Sequence, residues 1–201
     1  MVGLIHFVLF DLIRSAAGPQ VLAEVKLRAG IAPDHEYRID EPYDDLEWQR
    51  LLAATCEVLQ IDQAKAEELY AEHFCRDSQQ RWPSWFAMSK TAREFLERQP
   101  VIHNGFATGV RDPAASQKIK DKFTIDKLDD EIIVHYRSPN RLCGLYMALA
   151  REVFRYYGEE AEISQSQCQK NGDPECEIHV LWPSQAVTAG ARGSHARETD
   201  G

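Results

Sequence analysis

The hydrophobic period of this chain changes once, and that change limits the folds open to it more than any other feature. As far as Pro113, apolar residues recur three and four apart, as helices require. From Lys122 onward they mostly alternate, as in half-buried strands, with one helical run between two alternating pairs. Leu4, Ile5, Val8, Leu9 and Leu12 mark a first helix, which Gly18-Pro19 ends, and a second over residues 21–29 stops at Gly30. Asp44, with Glu47 three residues on, predicts a capping box for a third helix whose buried side is Leu51, Leu52, Cys56 and Leu59. Asp62 predicts the cap of a fourth running through Leu69, Tyr70, His73 and Phe74, and RDSQQRWPSW breaks that pattern. Helical spacing returns near Met88, through Ala92, Phe95 and Leu96. Pro100 then predicts a fresh start with proline in the first turn, just ahead of His103.

Beyond Asp112-Pro113, KFTID, a Leu-Asp-Asp turn and EIIVHYRS predict a β-hairpin. Ser138 is the expected cap of a helix from about 142 to 157, ended by Gly158. AEISQSQCQ, the turn NGDPE and CEIHVLW predict a second hairpin, with Ile178, Val180 and Trp182 alternating against Glu177, His179 and Leu181. The expected class is α+β: an N-terminal helical subdomain packed on a C-terminal antiparallel sheet with helices, spanning residues 1–182. Residues 183–201, rich in Ala, Gly, Ser, Thr and charge, are expected to be a disordered tail.

Charge and composition then exclude several functions. With 32 acidic against 23 basic residues and a net charge of -9, no broad basic surface is available to neutralise phosphates, which argues against nucleic acid and anionic membrane as partners. The apolar opening carries Asp11, has no basic leader and is too short to cross a bilayer as a helix, so it reads as a core helix. Five cysteines without a secretion signal predict free thiols and a cytoplasmic location. The chain contains no Gly-rich phosphate loop, no H-E-x-x-H and no nucleophile with a base beside it in sequence, so an enzyme is not expected.

Three groups of residues remain as candidates for chemistry. His103, among Val101, Ile102 and Phe106, is either a hydrogen-bonded core histidine or an axial ligand to haem iron, for which neutral imidazole and apolar neighbours are suited. Tyr136-Arg137-Ser138-Pro139-Asn140-Arg141, at a strand-to-helix junction, either holds a carboxylate or consists of a strand tyrosine and a capping serine. Cys168 and Cys176 flank a tight turn, and with Cys143 they are either three free thiols or three ligands of a tetrahedral ion. Gln165, His179 and Glu162 are candidates for the fourth position, with His179 the best donor by type.

Met1-x-Gly3-Leu4-Ile5, Pro100-Val-Ile-His103 and Tyr136-x-Ser138-Pro139-x-Arg141-Leu-Cys143 together resemble the bacterial H-NOX family, the haem nitric oxide/oxygen-binding domains related to soluble guanylate cyclase. The likeness covers roughly residues 1–182. It implies a helical subdomain and an antiparallel sheet with haem b between them, and His103 as the proximal iron ligand. It also implies that Tyr136 and Ser138 are the first two members of a Tyr-x-Ser-x-Arg motif that grips the haem propionates. The third member is Asn140 here, with Arg141 one residue later, and an amide lacks the charged fork of a guanidinium. A Phe-Gly-x-x-Phe segment near the pocket reads Tyr70-Ala71-Glu72-His73-Phe74. Oxygen-binding relatives carry a tyrosine five residues after the motif arginine. Leu145 stands there, so the resemblance favours nitric oxide over oxygen unless Tyr146 turns inward, with carbon monoxide a further candidate. The C-terminal hairpin is similar to the zinc-binding end of some H-NOX proteins, which implies zinc on Cys143, Cys168 and Cys176. Gln165 stands where those relatives place the fourth ligand, and His179 or water is the expected substitute. The implied function is a gas sensor signalling to a separate histidine kinase or cyclic-di-GMP enzyme. The alternatives are a haem-free ligand-binding or protein-interaction module of the same fold and a zinc-thiol redox sensor.

Overall fold

The computed structural model describes residues 1–108, 110–120 and 122–183. Helix α1 (Gly3–Ala17) begins under a loop that only glycine admits: a Cβ on Gly3 would lie 1.9 Å from the Arg38 carbonyl oxygen. Helix α2 (Pro19–Ala29) closes on Gly30 in the left-handed region at φ +71°, as glycine allows without strain. Asp44 caps α3 (Asp45–Leu59) by accepting from the Leu46 N–H at 2.9 Å. The capping box does not form, because the Glu47 carboxylate accepts from the Tyr37 hydroxyl at 2.7 Å instead of turning back on the cap. The buried side of α3 is Trp48, Leu51, Leu52, Ala54 and Thr55, which leaves Cys56 and Leu59 at its margin.

Helix α4 (Gln63–Arg81) starts as expected, with Asp62 accepting from the Lys65 N–H at 2.7 Å. It does not break at RDSQQR. Ser78 is buried and Asp77 pairs with Arg81 at 2.7 Å one turn on, so the helix continues until Trp82-Pro83. Two short helices were not expected from the apolar spacing, α5 (Pro83–Ala87) and α8 (Pro113–Ile119). Each opens on a proline, and Asp112 caps α8 by accepting from the Ala114 N–H at 3.0 Å. Between them lie α6 (Ala92–Glu97), capped by Thr91, and α7 (Gln99–Gly105), which carries His103.

Strands β1 (Phe123–Lys127), β2 (Glu131–Tyr136), β3 (Glu162–Gln167) and β4 (Cys176–Leu181) form one antiparallel sheet in the order β1-β2-β4-β3. The two predicted hairpins are joined edge to edge through β2 and β4. Ile132, Val134, Ile178 and Val180 are fully buried on one face of this sheet, in the same core as α9 (Cys143–Tyr157). Helix α9 also crosses α4 closely, since a Cβ on Gly144 would lie 2.1 Å from Glu67 Oε2. Ser138 is not its cap. Its hydroxyl accepts from the Asn140 N–H at 3.3 Å within the turn, and the Leu142 N–H donates to the Tyr136 hydroxyl at 3.3 Å. The structure is thus helices plus an antiparallel four-stranded sheet, as the change of period predicts. No described helix is long and apolar enough to cross a membrane. The tail expected beyond Pro183 lies outside the described residues.

Candidate functional site

Helices α1, α4, α7 and α9 converge with the start of β1 and the end of β2 around one cavity. Its walls are largely apolar: Ile5 from α1, Phe74 from α4, Ile102 from α7, Phe123 from β1, and Leu145 and Leu149 one turn apart on α9. His103 is on this wall, with its ring 5.0 Å from that of Phe123 and nearly perpendicular to it at 73°. Loss of water, reinforced by the positive charge of Lys122, lowers the pKa of His103 to about 4. The imidazole is therefore neutral at physiological pH, the form that donates a lone pair to a metal.

The cavity also concentrates polar atoms without partners. Among the described residues, ten buried side-chain nitrogen or oxygen atoms lack a hydrogen bond of good geometry. Five of them, Ser78 Oγ, Gln99 Oε1, His103 Nδ1, Asn140 Oδ1 and the Tyr146 hydroxyl, belong to residues of this wall. Folded proteins leave few such atoms, so their gathering around one space marks a place built for a ligand.

The junction after β2 is organised by Tyr136. Its hydroxyl accepts from Leu142, its ring stacks on Phe123 at 4.9 Å, and burial pushes its pKa up to about 12. Asn140 lines the cavity. Ser138 is buried behind it, its N–H donating to Gln169 Oε1 at 3.1 Å. Arg141 is not brought to the cavity. Its backbone turns left-handed at φ +51°, and its exposed side chain borders a separate hollow with Gln49, Gln63 and Lys170. That hollow shares Asn140 and Leu142 with the cavity. Of the other expected residues, Ile5 and Leu145 are both on the wall, and Tyr146 does turn inward, where burial raises its pKa. Tyr70 is buried with its hydroxyl donating to the Ile5 carbonyl at 3.1 Å, and Ala71 packs beside it with no exposure.

The thiols do converge. The sulfurs of Cys143, Cys168 and Cys176 lie within 4.8 Å of one another, with Cys143 and Cys168 at 3.7 Å. Asp173 shapes the turn between the last two by accepting from the Cys168 N–H at 2.7 Å, and the Cys176 sulfur accepts from the Gln169 N–H at 3.3 Å. Burial raises Cys176 to about 12. Burial also disfavours the Cys168 thiolate, but hydrogen bonds from the Lys170 backbone and the neighbouring thiols outweigh it, and its pKa is lowered.

His179 does not complete this set. It is three residues from Cys176 on β4, so the alternation of a strand puts it on the opposite face. Its ring is held there by Glu131 at 2.7 Å and Glu177 at 3.2 Å. Glu162, opposite Leu181 in register, is on that outer face too. Gln165 pairs with Ile178 and so shares the inner face with Cys176, and its Nε2 is buried without a partner.

Among the residues of the cavity wall that sequence reasoning missed are Lys122 and Phe123. Phe123 was recoverable: the turn between β1 and β2 fixes a register that places it opposite Tyr136. Lys122 carried no local signal, since a lysine before a strand is ordinary.

Comparison with known proteins places this geometry. A family model described as haem-NO-binding matches residues 2–165. Soluble guanylate cyclase gcy-37 of Caenorhabditis elegans is 31% identical over 107 residues, which are 51% of this chain and only 15% of that much longer protein. Among solved structures, an H-NOX protein from S. oneidensis in its Fe(II)NO ligation state aligns with a TM-score of 0.75 at 18% identity, covering 90% of this chain and 98% of that one. An oxygen-binding H-NOX domain related to soluble guanylate cyclases, solved as its oxygen complex, aligns with a TM-score of 0.71 at 18% identity, covering 91% and 95%. At such identity these two structures establish a shared fold.

Proposed function

Since the chain belongs to the haem-NO-binding family, we propose that residues 1–182 bind haem b through His103 and sense a diatomic gas, nitric oxide foremost. The observation that carries this reading is a neutral His103 on the wall of an apolar cavity where half of the orphaned buried polar atoms gather. When bound, haem supplies the iron at which a gas coordinates. His103 would hold that iron through a ring nitrogen, and the apolar wall would exclude water from the site. Tyr136 and Asn140 are polar groups on the same wall, with Ser138 fixing the turn between them.

Leu145 offers no hydrogen bond, which suits nitric oxide or carbon monoxide. The inward hydroxyl of Tyr146 has no partner among the described residues and is the group on α9 through which oxygen would gain stability. Tyr146→Phe should leave nitric oxide binding intact and weaken any oxygen affinity, read by spectral titration with each gas.

The moving part of this sensor is α7. None of its seven residues is fully buried, so displacing it disturbs little of the core. The output then reaches a separate histidine kinase or cyclic-di-GMP enzyme, a step supported by the family likeness alone. The reading is of a sensor, not a catalyst. Protein supplied with haem should show a Soret band that shifts with nitric oxide. Absence of the band would leave a haem-free ligand-binding module of the same fold, and a band indifferent to His103→Ala would overturn the role of His103.

The convergence of three thiols supports a second site. Cys143, Cys168 and Cys176 would hold zinc, with water or Gln165 in the fourth position. A site short of a strong fourth ligand releases metal on thiol oxidation, so it would report redox state as well as staple the last hairpin to α9. Zinc content per chain before and after mild peroxide tests this, and protein isolated without zinc would contradict it.

A further inference from the structure

We propose that Lys122 supplies the cation that holds a carboxylate of the bound porphyrin, in place of the arginine that this chain lacks at Asn140. The inference rests on the haem reading and adds to it the residue that neutralises the ligand's charge.

Lys122 precedes β1 directly and is the only charged side chain on the cavity wall among the described residues. No carboxylate of the described residues comes within ion-pair distance of it. Asp45 is close enough to be felt, but it is held by the Met1 amino group at 2.8 Å. An ammonium withdrawn from water without a counter-ion is costly, and burial lowers its pKa accordingly. A ligand carboxylate entering the cavity would remove that cost.

Asn140 is at the same end, since Asp45 interacts with both it and Lys122, and Asn140 Oδ1 has no partner. The opposing candidate, Arg141, is exposed and lines a neighbouring hollow with Lys170 that shares Asn140 and Leu142 with the cavity, whereas Lys122 lines the cavity itself. The wall therefore fits a ligand with an apolar body and an anionic group, and Lys122 is the cation on that wall to meet it.

The test uses the haem-loaded protein and measures transfer of haem to excess apomyoglobin. Lys122→Met should speed loss of native haem about tenfold or more, the scale of a charge-assisted hydrogen bond. Lys122→Arg should stay close to wild type, as should Arg141→Ala. With haem dimethyl ester, which has no carboxylates, wild type and Lys122→Met should lose the ligand equally fast. Without haem, Lys122→Met should melt at or above the wild-type temperature, because it deletes a desolvated charge that no carboxylate of the described residues pairs.

Equal loss of native haem by Lys122→Met and wild type would overturn the proposal while leaving the haem reading intact. So would an acceleration that persists with the diester. A wild-type protein that takes up no haem would overturn both.

Discussion

At the scale of single residues, two positions near the N-terminus expose the forces that shape the site. His6 is fully buried, stacked on Tyr37 at 4.4 Å, and its pKa falls to about 3. Desolvation is the main cause, the Met1 amino group and His35 add to it, and Asp45 opposes it. The unfolded chain, with an ordinary histidine pKa near ~6.5, binds a proton here that the folded protein refuses between about pH 6.5 and 3. Stability contributed by His6 is thus fully present above that window and is lost as pH falls through it. Denaturant midpoints should drop from pH 7 to pH 5, and His6→Phe should flatten the dependence. Gly3→Ala, by contrast, should act at every pH. Its Cβ would meet a backbone carbonyl at 1.9 Å, which cannot swing aside, so a loss of about 1–3 kcal/mol or more is expected in the same assay. The apolar setting of His103 was legible from its neighbours, which left a core histidine and an iron ligand both open. Its neutrality was not, because desolvation depends on packing against Phe123 and on the nearness of Lys122.

At the scale of elements, local signals located most helices and misjudged how far they run. Asp44, Asp62, Thr91 and Asp112 all cap, because an N-cap needs only a side chain two or three residues from the N–H that it accepts from. The break expected within residues 76–85 comes late in that stretch, at Trp82-Pro83, since burial of Ser78 and a pair one turn apart keep its polar first half helical. Ser138 has the right residue type for a cap and the wrong place in the turn. The joint between α4 and α9 rests on Gly144, where a methyl would meet the buried carboxylate of Glu67 at 2.1 Å. Because that oxygen is the tip of a flexible side chain, Gly144→Ala should cost about 1 kcal/mol or less, well below Gly3→Ala, measured by thermal or denaturant unfolding. Glu67→Gln at the same joint should change stability less, because Gln63 donates to it at 2.7 Å and an amide oxygen still accepts.

At the scale of the whole molecule, the cavity joins the helical half to the sheet, so its ligand should act on both. Haem binding only the folded state should raise the melting temperature in proportion to the logarithm of its concentration over Kd. It should also slow amide exchange in α7, where no residue is fully buried. A melting temperature indifferent to haem would count against a site between the two halves. The α+β class, the two hairpins, most helix starts and the apolar setting of His103 followed from the sequence by itself, because period, caps and turns act within a few residues of one another. Only the tertiary structure decided that Arg141 faces away, that Lys122 and Tyr146 face in, that three cysteines meet and that His179 is on the wrong side of β4 for them. Those outcomes depend on how α4, α7, α9 and the sheet pack against one another. That packing is set by the summed burial of side chains far apart in the chain, and no local pattern records it.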